Sequence, residues 1–291
     1  MKFGLIGHPI EHSLSPALFK AGYDGRYPYE LIQTADFEEA YARFLTDYDG
    51  INVTAPFKEL AIRKADILSE ECQVIGATNL LIKTPEGIKA YNSDYLGVRL
   101  WIEQISRLAF LSPNDSIKET SSDALTPDPH VKARSACHSG LSRNDWGLKT
   151  SPTILIVGTG GAGKAAAEAA RSLRCDVILM NRTQYRDDIK PLSEFRKAFK
   201  AADIVIYNLP VRLPELDLLE QEDFIKGSPK YILEANYRNP SFDKDLIQKI
   251  KGSDIQIEYT GGETWLLLQA LTGYEIFTGE KPDLEKMTAC L

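Results

Sequence analysis

The segment Gly158-Thr159-Gly160-Gly161-Ala162-Gly163 has a glycine spacing that suits the binding of a phosphate group. A β-branched, apolar run starting at Thr153 precedes it, and an Ala-rich stretch follows it as far as Leu173. A strand, a glycine loop and a helix in this order are typical of dinucleotide-binding folds. Glycines let the backbone approach a pyrophosphate, whose charge meets the N–H groups at the start of the helix. We therefore predict a nucleotide site here, with a plain tight turn as the alternative.

About twenty residues further on, the sequence indicates which dinucleotide would bind. NAD sites usually carry an Asp or Glu there, which accepts a hydrogen bond from the ribose 2′-hydroxyl. This chain instead has Met180-Asn181-Arg182-Thr183, with Arg186 shortly after. An acid would repel a 2′-phosphate, whereas guanidinium groups pair well with one. The pattern predicts NADP as the cofactor; the alternative is that both arginines are merely solvated on a loop.

Both halves of the chain alternate short apolar segments with helical ones, which predicts parallel α/β sheets. In the first half we predict strands at 3–7 and 50–53, and helices at 15–21, 59–68 and 95–108. In the second half we predict strands from 153 and at 177–180, 204–207 and 231–234, a helix through 173, and a helical end after 262. Residues 109–150 are polar and lack a clear period, which is typical of an inserted linker or mobile loop.

The chain is long enough for two domains, since it has 291 residues of which 43% are hydrophobic and 26% charged. We expect residues 1–108 and C-terminal helices at 262–291 to form one α/β domain. We expect residues 151–261 to form a Rossmann-type domain. The C-terminal helical segment would then return to the first domain.

The composition argues against several classes of protein. The net charge of -7, without basic runs, disfavours nucleic acid and anionic membranes as partners. Apolar stretches are only strand-length, so no membrane span is predicted. No cysteine pair or cluster has metal-ligand spacing, so no metal site is predicted and a reducing cytoplasm is the simplest setting. The four cysteines are Cys72, Cys137, Cys175 and Cys290.

Polar motifs follow the predicted strands of the first half, where α/β sheets place their ligand sites. They are GHPIEHSLSP at 7–16, NVTAPFK at 52–58, GATN at 76–79 and YNSD at 91–94. With these motifs the chain closely resembles the shikimate dehydrogenase family, from residue 7 to about residue 279 and excluding only the region near 109–150. The resemblance implies a substrate domain, an NADP-binding Rossmann domain, and reversible reduction of 3-dehydroshikimate to shikimate. That reaction belongs to chorismate and aromatic amino acid biosynthesis.

The resemblance also implies roles for particular residues. Lys58 and Asp94 would form the catalytic pair. The family's substrate-binding positions fall on Ser13, Ser15, Thr54, Asn79, Tyr237 and Gln269. The two serines would hydrogen-bond the substrate carboxylate, Asn79 the substrate hydroxyls, and Tyr237 would lie between substrate and nicotinamide. The cofactor-binding positions fall on Gly158, Gly160, Gly161, Ala162, Gly163, Asn181, Arg182, Thr183, Arg186 and Gly262.

The chain departs from the family pattern at a few positions. Phe19 and Lys20 stand where the family usually has His-Asn, and Trp265 stands where Met is common. We expect these substitutions to tune packing. The insertion at 109–150 is the larger departure, because typical members join their two domains with far fewer residues.

The residue types also fit the chemistry on their own. Ketone reduction with NADPH needs a positioned acid, because a proton must reach the developing alkoxide. Lys58 can donate that proton. Asp94 lies at the predicted N-terminus of the helix at 95–108, where the dipole and capping favour an ionised carboxylate. We therefore expect Asp94 to orient Lys58. Taken singly, Lys58 would be a surface lysine and Asp94 an ordinary N-cap. His12 is expected to be a structural histidine.

Two other functions stay open at this point. One is a quinate/shikimate dehydrogenase paralogue with a wider substrate range. The other is a nucleotide-binding regulatory module that has lost catalysis, although both Lys58 and Asp94 are present. We expect a small-molecule substrate and a monomer or homodimer.

Overall fold

The fold was obtained as a computed structural model, which describes residues 1–110, 151–225, 229–252 and 254–291. Two six-stranded sheets with flanking helices make up the described chain. The predicted α/β class is therefore confirmed. Apart from the end of a helix at Phe110, the predicted insertion at 109–150 lies outside the described residues.

The first sheet has the strand order β2-β1-β3-β5-β6-β4. Its strands are β1 (Phe3–Gly7), β2 (Tyr29–Gln33), β3 (Gly50–Val53), β4 (Ile67–Leu68), β5 (Leu80–Thr84) and β6 (Gly87–Tyr91). Strands β1, β2 and β3 are parallel, whereas β5 runs antiparallel to both β3 and β6. The sheet is therefore mixed and not purely parallel, because it contains a hairpin at 80–91. The sequence analysis did not predict this hairpin.

Five helices accompany the first sheet. They are α1 (Ser15–Gly22), α2 (Phe37–Asp47), α3 (Lys58–Ala61), α4 (Glu70–Ile75) and α5 (Ser93–Phe110). The predicted helix at 59–68 is wrong in its extent, since α3 passes into a 3-10 turn at Ile62–Lys64 and the chain then forms β4. The apolar residues at 67–68 extend the sheet beside β6. Tertiary pairing has overridden the helical pattern there.

The second sheet is parallel throughout and has the order β12-β11-β10-β7-β8-β9. Its strands are β7 (Thr153–Val157), β8 (Asp176–Met180), β9 (Ile189–Lys190), β10 (Ile204–Tyr207), β11 (Lys230–Glu234) and β12 (Ile257–Thr260). Helices α6 (Gly161–Ser172), α7 (Phe195–Ala201) and α8 (Lys244–Ile250) accompany it. This is the doubly wound Rossmann order, whose ligand crevice opens where the winding reverses, between β7 and β10.

The C-terminal helices α9 (Gly262–Thr278) and α10 (Leu284–Thr288) pack back onto the first half, as predicted. Helix α9 lies against α5 and α1, and α10 lies against α1. Phe19 is fully buried between Phe3, Tyr29 and Tyr274, with ring centroids 4.7–5.3 Å apart. The expected packing role of Phe19 is thus confirmed, since it joins α1, the sheet and α9 in one aromatic core.

Candidate active site

A cleft of about 470 Å³ lies between the two sheets, beyond the carboxyl ends of their central strands. We call its first-sheet side, with α1, α5 and α9, the substrate wall. We call its second-sheet side, with residues 158–163, 181–188 and 235–238, the nucleotide wall. The lining includes both predicted catalytic residues and all the predicted substrate residues: Ser13, Ser15, Thr54, Lys58, Asn79, Asp94, Tyr237 and Gln269. Of the predicted cofactor residues, Ala162 and Gly262 line the cleft.

Lys58 and Asp94 form an ion pair inside the cleft, in which Lys58 Nζ donates to Asp94 Oδ2. Lys58 is the first residue of α3, directly after the turn that follows β3, and Asp94 lies in the first turn of α5. Their side chains are only 18% and 13% exposed, respectively. Water screens such a pair less than a surface pair, so the ammonium is held in a defined position.

Asp94 does not cap its helix, contrary to the sequence-based expectation. The capping group is Asn92, whose Oδ1 accepts a hydrogen bond from Tyr95 N at 3.1 Å. Asn92 is also anchored through its Nδ2, which donates to the Ala77 carbonyl at 3.1 Å. Because Asn92 meets the backbone donor, the carboxylate of Asp94 is left to face Lys58.

Two serine hydroxyls lie at the start of α1. Ser13 Oγ donates to Ser15 Oγ at 3.2 Å, and the Ser15 carbonyl accepts a hydrogen bond from Tyr274 of α9 at 3.1 Å. Thr54, just beyond β3, lines the same part of the cleft. Hydroxyls beside the first turn of a helix suit a carboxylate ligand, since they add donors to the exposed N–H groups.

A buried hydrogen-bond chain joins Asn79, Ser93 and Gln269. Ser93 N donates to Asn79 Oδ1 at 2.7 Å, and Asn79 Nδ2 donates to Ser93 Oγ at 3.0 Å. Ser93 Oγ in turn donates to Gln269 Oε1 at 3.1 Å. Gln269 Nε2 also donates to the Leu266 carbonyl at 3.0 Å, so each amide oxygen and nitrogen has a definite partner and both amides are fixed in orientation. Ser93 thus links α5 to α9 and to the residue that precedes β5.

Asn52, Tyr29 and Tyr274 form hydrogen bonds that support the substrate wall. Tyr29 OH donates to Asn52 Oδ1 at 2.7 Å, and Asn52 Nδ2 donates to the Asn79 carbonyl at 3.3 Å. Burial raises the pKa of both Tyr29 and Tyr274 well above the usual phenol value. Both phenols therefore stay neutral donors over the physiological pH range.

Tyr237 reaches the cleft from a loop that follows β11. The fully buried carboxylate of Glu234 holds this loop by accepting hydrogen bonds from Ser241 N at 2.5 Å and Phe242 N at 3.1 Å. Next to Tyr237, Arg238 donates to the His12 carbonyl of the substrate wall. The loop is therefore fixed at its base by Glu234 and at its tip by the opposite wall.

Gly262 begins α9 where the helix meets the backbone of that loop. A Cβ on Gly262 would lie 2.5 Å from the Ala235 carbonyl oxygen, so only glycine allows this approach. Trp265, one turn later, is 5% exposed and lines the cleft. Its indole N–H has no hydrogen-bond partner among the described residues.

The glycine loop has the geometry of a phosphate site. Gly158 has a φ of 95°, a left-handed conformation that favours glycine, and a Cβ on Gly163 would overlap the Gly158 carbonyl oxygen. Gly160 faces open space, and a Cβ on Gly161 would lie 3.4 Å from Lys58 Cδ. The glycine loop therefore lies beside the Lys58–Asp94 pair, with Gly160 exposed.

Two polar atoms beside this loop are buried without a hydrogen-bond partner in the described part of the chain. They are Thr159 Oγ1 and Asn208 Oδ1. Asn208 follows β10 and lies against Gly158, at the point where the winding of the sheet reverses. Buried polar groups rarely stay unpaired, so these atoms fit a site completed by a polar ligand.

The predicted 2′-phosphate residues occupy the exposed loop after β8. Asn181 Nδ2 donates to the Thr183 carbonyl at 3.1 Å, which shapes the loop, and Arg182 is exposed. Tyr185 OH donates to the Thr159 carbonyl at 3.1 Å, so the loop lies against the glycine loop. Arg186, however, forms an ion pair with Asp188. The structure thus leaves Arg182 available to a ligand and engages Arg186 internally.

Sequence reasoning gave no role to several residues that build the site. Ser93 and Asn52 stand inside the polar motifs, so their position was a usable signal. Glu234 and Tyr274 carry no local signal, because each acts through contacts with distant segments. Asp188 was visible two residues after Arg186, but its pairing depends on the loop conformation.

Residues 5–81 match the model of the shikimate dehydrogenase substrate binding domain. The sequence is 26% identical to a shikimate dehydrogenase (NADP(+)) of Pyrococcus furiosus. The match covers 98% of this chain and 93% of that relative. The chain is therefore similar to shikimate dehydrogenases along nearly its whole length. Residues 137–254 also match the model of the D-isomer specific 2-hydroxyacid dehydrogenase, NAD binding domain. Some relatives are longer: the match covers 44% of an Arabidopsis thaliana bifunctional 3-dehydroquinate dehydratase/shikimate dehydrogenase.

Solved structures of the family share the fold. A shikimate 5-dehydrogenase from Thermus thermophilus, in complex with shikimate, matches all of this chain and 97% of its own with a TM-score of 0.68 at 24% identity. A quinate dehydrogenase from Corynebacterium glutamicum, in complex with NAD, covers the whole chain with a TM-score of 0.70 at 19% identity. Within the family, therefore, the fold alone does not distinguish the substrates or the cofactors.

Within the described residues, no helix combines the length and apolarity needed to cross a membrane. The same residues contain no group of three or more His, Cys, Asp or Glu side chains arranged to hold a metal ion.

Proposed function

We propose that this protein is an NADP-dependent shikimate dehydrogenase, which reversibly reduces 3-dehydroshikimate to shikimate. The observation that carries the proposal is the Lys58–Asp94 ion pair, which faces the glycine loop across the cleft. An oxidoreductase acting on an alcohol needs a proton donor and a nucleotide on opposite sides of its substrate. Here the two are on opposite walls of one cleft.

The substrate wall supplies groups that match a hydroxylated carboxylic acid. Ser13 and Ser15 would hold the carboxylate beside the first turn of α1. Asn79 and Gln269, already oriented through Ser93, would hold hydroxyl groups. Tyr237 would cover the substrate from the other wall, because its loop is fixed by Glu234.

Lys58 performs the proton transfer in this proposal. When NADPH is bound, its nicotinamide supplies the hydride that turns the carbonyl carbon into an alcohol carbon. Lys58 Nζ gives a proton to the oxygen on which negative charge develops, and takes one back in the reverse direction. Asp94 accepts a hydrogen bond from the ammonium and so fixes the direction in which Lys58 donates.

The nucleotide wall fits NADP. Gly158, Gly160, Gly161 and Gly163 would let a pyrophosphate approach the start of α6, and Ala162 and Gly262 would border the nicotinamide end of the site. Within the described residues Thr159 Oγ1 has no partner and could donate to a phosphate oxygen, whereas Asn208 Oδ1 could only accept, from a hydroxyl or amide of the cofactor. Asn181, Arg182 and Thr183 form the exposed loop that would face the 2′-phosphate, with Arg182 as the available cation.

The proposal extends to the organisation and setting of the enzyme. Residues 1–108 with 262–291 would form the substrate domain, and residues 151–261 the NADP domain. We further propose that the protein works in the cytoplasm as a monomer or homodimer, without nucleic acid or membrane partners. The net charge of -7 supports the latter point.

Steady-state kinetics with shikimate and quinate, each tried with NADP+ and NAD+, test the proposal. The absorbance of the reduced nicotinamide measures each rate. We expect the highest kcat/KM for shikimate with NADP+. A higher value for quinate would favour the paralogue with a wider substrate range. Nucleotide binding without any turnover would favour the regulatory module.

A further inference from the structure

An acidic side chain, Asp188, lies on the loop that carries the two arginines of the proposed 2′-phosphate site. Arg186 Nε donates to Asp188 Oδ1 at 2.8 Å, and Arg186 Nη2 donates to Asp188 Oδ2. Arg171, in the last turn of α6, adds a second guanidinium 3.9 Å from Asp188 Oδ2. Arg186 therefore already uses two neighbouring N–H groups on a carboxylate, which is the geometry that it would offer to a phosphate.

Arg182 differs from Arg186 in this respect. It is exposed, and within 151–225 and the other described segments it makes no ion pair or side-chain hydrogen bond. Both arginines belong to a loop that Tyr185 ties to the glycine loop. The loop thus holds one arginine that is available to a ligand and one that has an internal counter-ion.

We propose that Asp188 is a specificity-determining residue, which withdraws Arg186 from the 2′-phosphate and thereby reduces the preference for NADP over NAD. The proposal rests on the proposed function. A 2′-phosphate would have to displace Asp188 or bind beside its negative charge, whereas the uncharged 2′-hydroxyl of NAD meets neither obstacle. The hydrogen bond from Arg186 lowers the pKa of Asp188, so the carboxylate is ionised at neutral pH.

Replacement of Asp188 by Asn tests the inference, with Asp187→Asn as the matched control. Asp187 is the neighbouring residue and is also exposed, so its replacement by Asn changes the net charge by the same amount. Unlike Asp188, it makes no ion pair in the described part of the chain. We expect D188N to tighten NADP+ binding roughly three- to tenfold in calorimetry at low salt, as for a screened surface charge, and to leave NAD+ binding unchanged. D187N should change NADP+ binding less than about twofold.

A second substitution shows whether the gain acts through Arg186. In the double variant R186A/D188N, the tighter NADP+ binding of D188N should be lost. Equal gains in D187N and D188N, persistence of the gain without Arg186, or weaker NADP+ binding in D188N would each overturn the inference.

The same titrations separate this inference from the proposed function. If the wild-type protein binds NADP+ and only the response to D188N fails, Asp188 has no such role and the proposed enzyme stands. If the wild-type protein binds neither dinucleotide, the proposed function fails and the inference fails with it.

Discussion

On the substrate wall the polar side chains are paired with one another, whereas the nucleotide wall offers mainly backbone N–H groups and exposed arginines. Asn79, Ser93 and Gln269 form a buried chain, and Lys58 is held by Asp94. On the opposite side, Gly160 faces open space and Arg182 is exposed. One wall is therefore organised by its side chains, and the other by its backbone.

The difference follows from the two kinds of ligand. A small hydroxylated acid is recognised by a few hydrogen bonds, which discriminate best when their amides and hydroxyls cannot rotate. A pyrophosphate is a larger anion that helix N–H groups can bind without side chains. Substitutions on the substrate wall should therefore change turnover and substrate affinity. Substitutions on the nucleotide wall should change the affinity for the nucleotide and the local stability.

The largest expected effect is that of Lys58→Ala. Loss of the proton donor should lower kcat by roughly two to four orders of magnitude, the range of general acid-base catalysis, with a much smaller change in NADP+ affinity. Rapid kinetics and calorimetry measure the two quantities. Lys64→Ala is the control, because Lys64 pairs with Glu38 at the surface. Near-normal turnover in K58A would remove Lys58 from the mechanism.

Gly163→Ala should have the next largest effect. Its Cβ would overlap the Gly158 carbonyl oxygen, and that backbone is held by the hydrogen bond from Gly158 N to the Met180 carbonyl at 2.8 Å. We expect unfolding to become easier by about 1–3 kcal/mol, the usual cost of overpacking, in chemical denaturation. Gly160→Ala, where the Cβ would meet nothing within 4 Å, should lose less stability, since only the preference for glycine at the N-cap of α6 is lost. Equal stability of both variants would contradict this packing argument.

Ser93→Ala would remove the hydroxyl that links Asn79 and Gln269. Two hydrogen bonds worth about 1 kcal/mol each are lost, so KM for shikimate should rise by up to about thirtyfold while KM for NADP+ stays unchanged. Ser106→Ala is a control on the same helix, since among the described residues Ser106 donates to the Ile102 carbonyl of its own helix and not to the substrate wall. An equal rise in both KM values would mean that Ser93 supports the fold rather than the substrate site.

The smallest effects should separate the two arginines. Arg182→Ala should weaken NADP+ binding by about tenfold and leave NAD+ binding unchanged, as expected for one exposed charge-assisted contact. Arg186→Ala should weaken NADP+ binding by less than about threefold, because Asp188 already engages Arg186. Equal losses of NADP+ and NAD+ binding in R182A would contradict the 2′-phosphate role.

The sequence predicted the second half of the fold more closely than the first. Its glycine loop and apolar strands follow one another locally, so β7, β10 and β11 lie where they were expected. The first half contains a hairpin at 80–91 and a strand at 67–68 that depend on partners elsewhere in the sheet. Local patterns do not encode such pairing, which explains the error at 59–68.

The candidate site shows the same division. The sequence by itself determined the residue types: the glycines that a backbone approaching phosphate requires, the missing acid after β8, and the polar motifs that end the first strands. Only the tertiary structure decided how they pair. Lys58 meets Asp94 across 36 residues and Ser93 meets Gln269 across 176 residues, while Asp188 claims Arg186 within one loop. The physical reason is that residue type fixes which bonds a side chain can make, whereas packing fixes which partner comes within reach.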